Sequence, residues 1–209
     1  MDNCLKLFEG GRKLPLVEEF YTIQGEGYHT GKAAYFIRIG GCDVGCWWCD
    51  TKFSWDPALH PLVEAEHIVE HVVEQPASSV VVTGGEPLMV NLDYLTGLLK
   101  QKGIETFLET SGAYPLSGYW DWISLSPKIN APANKELLER ADELKMIISS
   151  EDDLDWARKN ASLVREHCKL FLQPEWSRRE TIIPVIVSFV KENPDWMISL
   201  QVHKYMRIP

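Results

Sequence analysis

The sequence predicts an α/β protein: an incomplete TIM-type barrel of about six parallel strands, with fewer helices than a complete eightfold barrel carries. Three observations lead there. Short apolar, β-branched runs alternate with amphipathic stretches, the pattern of βαβ units. The length, 209 residues, suits one α/β unit of the larger kind. Five of the apolar runs also end in a polar cluster: TGGEP after VVV, ETSG after TFL, SPK after ISL, QPEW after LFL and HKYMRIP after SLQV. One such cluster is ordinary turn chemistry. Five in series, each where its strand should end, point to a shared site on one rim of a parallel barrel or sheet.

Taken in order, AAYFIRIG (33–40) reads as a strand. EAEHIVEHVVEQ (64–75) puts Ile68, Val69, Val72 and Val73 on one helical face. SSVVVTGG is a short buried strand. NLDYLTGLLKQKG opens on a capping Asn91, aligns Leu92, Leu95 and Leu99, and stops at Gly103. Further strands are ETFLE, DWISL, LKMIIS, KLFLQ and MISLQVH. Helices are expected at 134–141, 152–165 and 179–193, the last able to hold Pro184 only near its start. The links 110–121 and 127–143 are poor helix candidates. Neither repeats nor linkers divide the chain, so residues 1–209 are expected to form a single domain.

Composition is that of a soluble globular protein, 45% hydrophobic and 24% charged. A net charge of −9 argues against nucleic acid as a partner, which Lys and Arg would have to neutralise. No stretch reaches the ~20 apolar residues of a membrane span. The opening MDNCLKLFEGGRKLPLVEEF lacks the apolar core of a signal peptide. A cytoplasmic protein is expected. Its cysteines are then ligands or buried apolar residues rather than disulfides. Cys4 and Cys168 read as a frayed terminus and a core position.

GGCDVGCWWCDT (40–51) packs Cys42, Cys46 and Cys49 into eight positions. With five cysteines in 209 residues, three at fixed offsets arise by chance with a probability of about 0.003. Zinc would want a fourth ligand, such as His60 or Cys4. A redox pair at Cys46 and Cys49 leaves Cys42 unexplained. A [4Fe–4S] cluster held by three thiolates fits best, one iron keeping an open coordination position for a small molecule. Gly40, Gly41 and Gly45 let the loop wrap closely. Trp47 and Trp48 offer shielding from water.

This loop resembles the signature of radical S-adenosylmethionine (SAM) enzymes, and TGGEP resembles that superfamily's second motif. FYTIQGEGYHTGKAAYFIRIGGC (20–42) sharpens the match. Together with CDT, TGGEP, SPK, QP and a closing HKY-x-x-IP, it resembles the 7-carboxy-7-deazaguanine synthase family across residues 20–209. The resemblance implies a radical SAM core with residues 20–41 reading the substrate and 42–51 forming the cluster loop. It implies conversion of 6-carboxy-5,6,7,8-tetrahydropterin to 7-carboxy-7-deazaguanine with loss of ammonia, SAM being reused as a cofactor. Cys42, Cys46 and Cys49 match the cluster ligands. Trp48, Cys49, Asp50, Gly85 and Glu86 match SAM contacts, the last offering a carboxylate to the SAM ammonium. Ser126, Pro127 and Lys128, and Gln173, Pro174, Glu175 and Trp176, match later SAM-contacting segments.

For the pterin, the resemblance implies Ile23, Gln24, Gly25, Glu26, Arg38 and Thr83, together with a free carboxylate on Pro209. Thr51 matches a Mg2+-holding position. A flavodoxin- or ferredoxin-type electron donor and a homodimer are implied as well. Alternatives are a glycyl-radical-enzyme activase, which would want a peptide groove, and a non-enzymatic iron–sulfur or zinc module. Arg38 alone could be a surface ion pair. Glu109 and His203 point to the rim without an assigned role. His67 and His71, one turn apart, read as a solvated helix face.

Overall fold

The apolar runs become strands in the computed structural model, which describes residues 10–209. The strands are β1 (Lys13–Ile23), β2 (Ala33–Ile39), β3 (Leu62–Glu64), β4 (Ser79–Gly84), β5 (Glu105–Thr110), β6 (Trp122–Leu125), β7 (Glu143–Ile148), β8 (Lys169–Pro174) and β9 (Trp196–Ile198). They form one open sheet in the order β3-β1-β2-β4-β5-β6-β7-β8-β9. From β2 through β9 every pairing is parallel. β1 lies antiparallel to both β2 and β3. The helices are α1 (Ala65–Val73), α2 (Asp93–Gln101), α3 (Lys135–Arg140), α4 (Asp153–Ala161), α5 (Arg179–Glu192) and α6 (Val202–Met206). The expected fold class therefore holds, with the barrel left open. No helix among the described residues is long and apolar enough to cross a membrane.

Alternation along the parallel strands decides what each face does. Ile37 and Ile39, Val80 and Val82, Leu108, Leu125, Leu144, Met146 and Leu172 join the main core beneath the helices. Ile68 and Val72 of α1 and Leu95 and Leu99 of α2 supply its other side, all shut off from solvent. The intervening residues turn to the concave face, where they form two bands. Phe36, Val81, Phe107 and Trp122 pair in register across β2, β4, β5 and β6 and make an apolar floor. Nearer the carboxyl ends come Arg38, Thr83, Glu109, Ser124, Lys145 and Gln173, all facing one cavity.

Several expectations need correction. β1 and β3 were not foreseen: the run KLPLVEEFYTI loses its alternation at a bulge between Leu16 and Glu18 and at paired glutamates. The expected strand MISLQVH shrinks to three residues, because the chain turns off the sheet edge at Ser199. The Val202 N–H then bonds to the Gly25 carbonyl, 2.9 Å away, and the segment coils into α6. Val73 is 49% exposed, so the buried stripe of α1 is Ala65, Ile68, Val69 and Val72. α4 stops at Ala161, short of the expected 165. Asn91 sits one residue outside the cap, although its Oδ1 still accepts from the Asp93 N–H at 2.9 Å. α5 runs through Pro184 at its sixth residue. The link 110–121 carries no helix, in line with expectation, whereas 127–143 does hold the short α3, within the helix expected at 134–141. Cys168 is a buried core residue; Cys4 lies outside the described residues.

Candidate active site

The carboxyl ends of the parallel strands surround a cavity of about 470 Å3. The cysteine loop forms one wall. Its approach to the sheet is set by the turn after β4: the Gly85 N–H bonds to the Ile39 carbonyl and the Glu86 N–H to the Gly41 carbonyl. A β-carbon on Gly85 would stand 2.4 Å from the Gly41 oxygen and 2.7 Å from the Cys42 Cβ. Only glycine lets the two loops touch.

Cys42, Cys46 and Cys49 all line the cavity as half-buried free thiols. Burial raises the Cys42 thiol above its ordinary range, with Glu86 and Cys46 adding to the effect. Cys46 is raised by burial too, against the pull of the Lys128 ammonium. Among the described residues, no three His, Cys, Asp or Glu side chains are placed to hold a single metal ion. His60, the fourth zinc ligand considered, bonds through Nε2 to the Phe53 carbonyl and does not line the cavity. Three unbridged thiols on one wall, with no side chain on the glycine opposite Cys42, fit a thiolate-bound iron–sulfur cluster. Trp48 faces the cavity, whereas Trp47 is 54% exposed and lies under the Arg178 guanidinium.

All but one of the site residues expected from sequence come together here. Trp48, Asp50, Thr51, Ser126, Lys128, Gln173, Pro174, Glu175 and Trp176 line the cavity on the cluster side, together with Gly85 and Glu86. Ile23, Gln24, Gly25, Glu26, Arg38, Thr83 and Pro209 line it as well. Pro127 is the exception, buried behind the wall. Glu86, 1% exposed, is already engaged: Oε1 accepts from the Leu88 N–H and Thr110 hydroxyl, and Oε2 from the Ser111 N–H and hydroxyl. A carboxylate has about four acceptor positions, so Glu86 braces the turn and its side chain has no capacity left for an ammonium. Arg38 lines the cavity while its Nε pairs with Glu18 at 2.7 Å, so the ion-pair and cavity readings both describe it. The Lys128 ammonium donates to the Ser126 carbonyl and hydroxyl, both at 2.6 Å.

The most buried cation among the described residues was missed by sequence reasoning. Lys145, 4% exposed on β7, pairs with Glu26 at 2.6 Å and with Glu109 at 3.6 Å. Burial works to raise the Glu26 carboxyl, but the Lys145 ammonium and hydrogen bonds from Gln201 and Gln173 outweigh it and hold the group at about 2. Burial likewise disfavours the Lys145 charge, and the surrounding carboxylates Glu109, Glu26 and Glu143 push it the other way, above its ordinary value. The available signal was a single cation inside the otherwise apolar run LKMIIS. Ser124, Gln201 and Lys204 were also missed. Gln201 Nε2 donates to Glu26 Oε1, and Lys204 reaches both Gln201 and Asp50. His203 and Glu109 do face the cavity. A β-carbon on Gly25 would stand 2.3 Å from His203 Nδ1, so the closing segment fits against Gln24–Glu26 because Gly25 has no side chain. His67 and His71 are exposed, with His71 paired to Glu19.

A family model described as the Radical SAM superfamily matches residues 36–169, more than half of the chain. The class is therefore that of radical SAM proteins, and it carries a [4Fe–4S] cluster and SAM as its cofactors. A 7-carboxy-7-deazaguanine synthase from Flavobacterium psychrophilum is 55% identical over 201 residues, covering 96% of this chain and 95% of that protein. One from Synechocystis is 44% identical over 194 residues, 93% of each. The crystal structure of QueE from Escherichia coli matches with a TM-score of 0.81 at 31% identity, over 95% of this chain and 98% of that one. The chain belongs to the 7-carboxy-7-deazaguanine synthase family.

Proposed function

We propose that this protein converts 6-carboxy-5,6,7,8-tetrahydropterin to 7-carboxy-7-deazaguanine and ammonia. The observation that carries this reading is that the three thiols and the strip Ile23–Glu26 with Arg38 face the same cavity of about 470 Å3. The chemistry that the cluster and SAM supply when bound is hydrogen-atom abstraction and return. Cys42, Cys46 and Cys49 would hold three of the irons. Trp48, Asp50, the backbone of Gly85, Ser126, Lys128 and Gln173 to Trp176 would hold SAM, with Glu86 and Pro127 bracing the turns that present them.

Arg38 offers a forked cation to the substrate carboxylate. Gln24, Glu26 and Thr83 suit the polar edge of the pterin, and Ile23 and Gly25 its face. Pro209 would close the pocket, supported by the bond from the Thr22 hydroxyl to its backbone oxygen. Thr51, 3.5 Å from the Cys49 sulfur, would give one oxygen to Mg2+, the substrate carboxylate giving another. Residues 20–41 then read the substrate and 42–51 carry the cluster within one functional domain. The setting is a cytoplasmic homodimer reduced by a flavodoxin or ferredoxin, and the exposed apolar residues Met197, Ile198, Leu200 and Tyr205 support self-association.

Oxygen-free reconstitution with iron and sulfide, followed by addition of SAM, dithionite and the carboxytetrahydropterin, tests the reading. Ammonia and the deazaguanine acid are expected, with SAM recovered. Brown protein that cleaves SAM yet leaves the pterin untouched would overturn the substrate assignment.

A further inference from the structure

Beneath the main cavity lies a second one of about 10 Å3, the room a single water needs (roughly 10–15 Å3). The two share Gln24, Glu26, Glu109 and Ser124 as a common wall. On the far side stands His29. Its ring is fixed by stacking on Phe107 at 4.4 Å and by the edge of Trp122 at 4.7 Å. His29 Nε2 is closed off from solvent and has no hydrogen-bond partner in the protein. A buried ring nitrogen with no protein partner is costly, whereas one facing a water beside several carboxylates is not.

Glu143 completes the wall of the small cavity, 3% exposed and accepting from the Tyr28 N–H, the Trp122 indole and the Ser124 hydroxyl. On the solvent side His29 feels Lys32, whose ammonium lies over Phe107 and pairs with the half-exposed Glu105. Burial, and then the Lys32 charge, keep the imidazole below its ordinary value. A neutral ring can accept a proton on one nitrogen and donate from the other.

The geometry points to a bound-water site in the small cavity, and to a proton path running from Glu109 through that water and His29 to the surface beside Lys32 and Glu105. This rests on the proposed reaction, whose proton movements such a path would serve. Ring contraction joins the carboxyl-bearing carbon to the pyrimidine carbon that releases the ring nitrogen. The last elimination breaks the remaining C–N bond. Its electron pair leaves on nitrogen, which takes up one proton and departs as ammonia. The neighbouring CH2 gives up one proton, and that C–H pair becomes the new C=C bond. No electrons are gained or lost; one proton leaves carbon and one reaches nitrogen, and the path lets each be exchanged with the surface.

Reconstituted wild type, His29→Phe and His29→Gln are to be compared with substrate deuterated at the carboxyl-bearing carbon. His29→Phe keeps an aromatic ring against Phe107 and removes the relay. It is expected to slow ammonia release at least ~10-fold and to accumulate the ring-contracted amine, while deuterium still passes into SAM at the wild-type rate. His29→Gln is expected to restore part of the release. Unchanged ammonia release in His29→Phe, or equal losses of release and deuterium transfer, would overturn the path. A high-resolution crystal structure of the wild type is expected to show a water within hydrogen-bond distance of His29 Nε2; a dry void there overturns the site. Failure of the wild type to form product would count against the reaction instead, and the crystallographic result stands apart from it.

Discussion

Lys145 sets the charge balance of the cavity floor. It is buried, flanked by Glu26 and Glu109, and no other cation lies within ion-pair distance of those two carboxylates among the described residues. Truncating one partner of a buried ion pair leaves an uncompensated charge, at a cost of about 3–5 kcal/mol. Lys145→Met is therefore expected to lower the urea midpoint by that equivalent, and adding Glu26→Gln to recover part of it; a single variant as stable as wild type would refute the coupling. The pH dependence has a definite sign. The Glu26 carboxyl sits at about 2 in the folded protein against an ordinary 4.5, so its contribution is complete above about pH 4.5 and lost as pH falls from there towards 2. Acid titrations of wild type and Glu26→Gln should diverge in that window. At this scale the sequence was legible where a motif fixes a residue's company, as with Cys42, Cys46 and Cys49. It was silent on Lys145 and His29, because their meaning depends on which strands stand opposite, and non-local pairing is not written in any short stretch.

Among the elements, the turn after β4 has the tightest fit. Gly85→Ala would drive a methyl group into the Gly41 carbonyl and Cys42, so the cysteine loop has to shift away from the sheet. The substitution is expected to keep the far-UV circular dichroism of wild type and lose most of the brown absorbance on reconstitution. Full cluster loading would show that the contact does not matter. The parallel strands β2 and β4 to β8 were readable because one face of each is buried in the main core and much of the other is covered, which produces short apolar, β-branched runs. β1 was not, since its antiparallel position leaves one side less covered and admits Glu18 and Glu19 within the strand. β9 and α6 escaped for another reason: SLQVH has strand-like alternation, but the bond from Val202 to Gly25 takes the chain elsewhere. Tertiary contact overrode local propensity there.

The sheet as a whole does not close, and the gap beyond β9 is covered by the segment that follows it rather than by further strands. α6 buries no residue of the main core, yet Gln201, His203, Lys204 and Pro209 face the cavity. Removing residues 201–209 is expected to leave the thermal midpoint within a few degrees of wild type and to weaken pterin binding at least ~10-fold, measured by calorimetry; undiminished binding would mean the segment is only a cover. That arrangement also has a consequence in time. The wall supplied by residues 201–209 leaves the ribosome roughly 150 residues after the cysteine loop, a delay of about 8–30 s at ~5–20 residues per second. Until then the nascent chain presents its thiols without that wall, open to whatever delivers iron and sulfide, and equally open to oxidants.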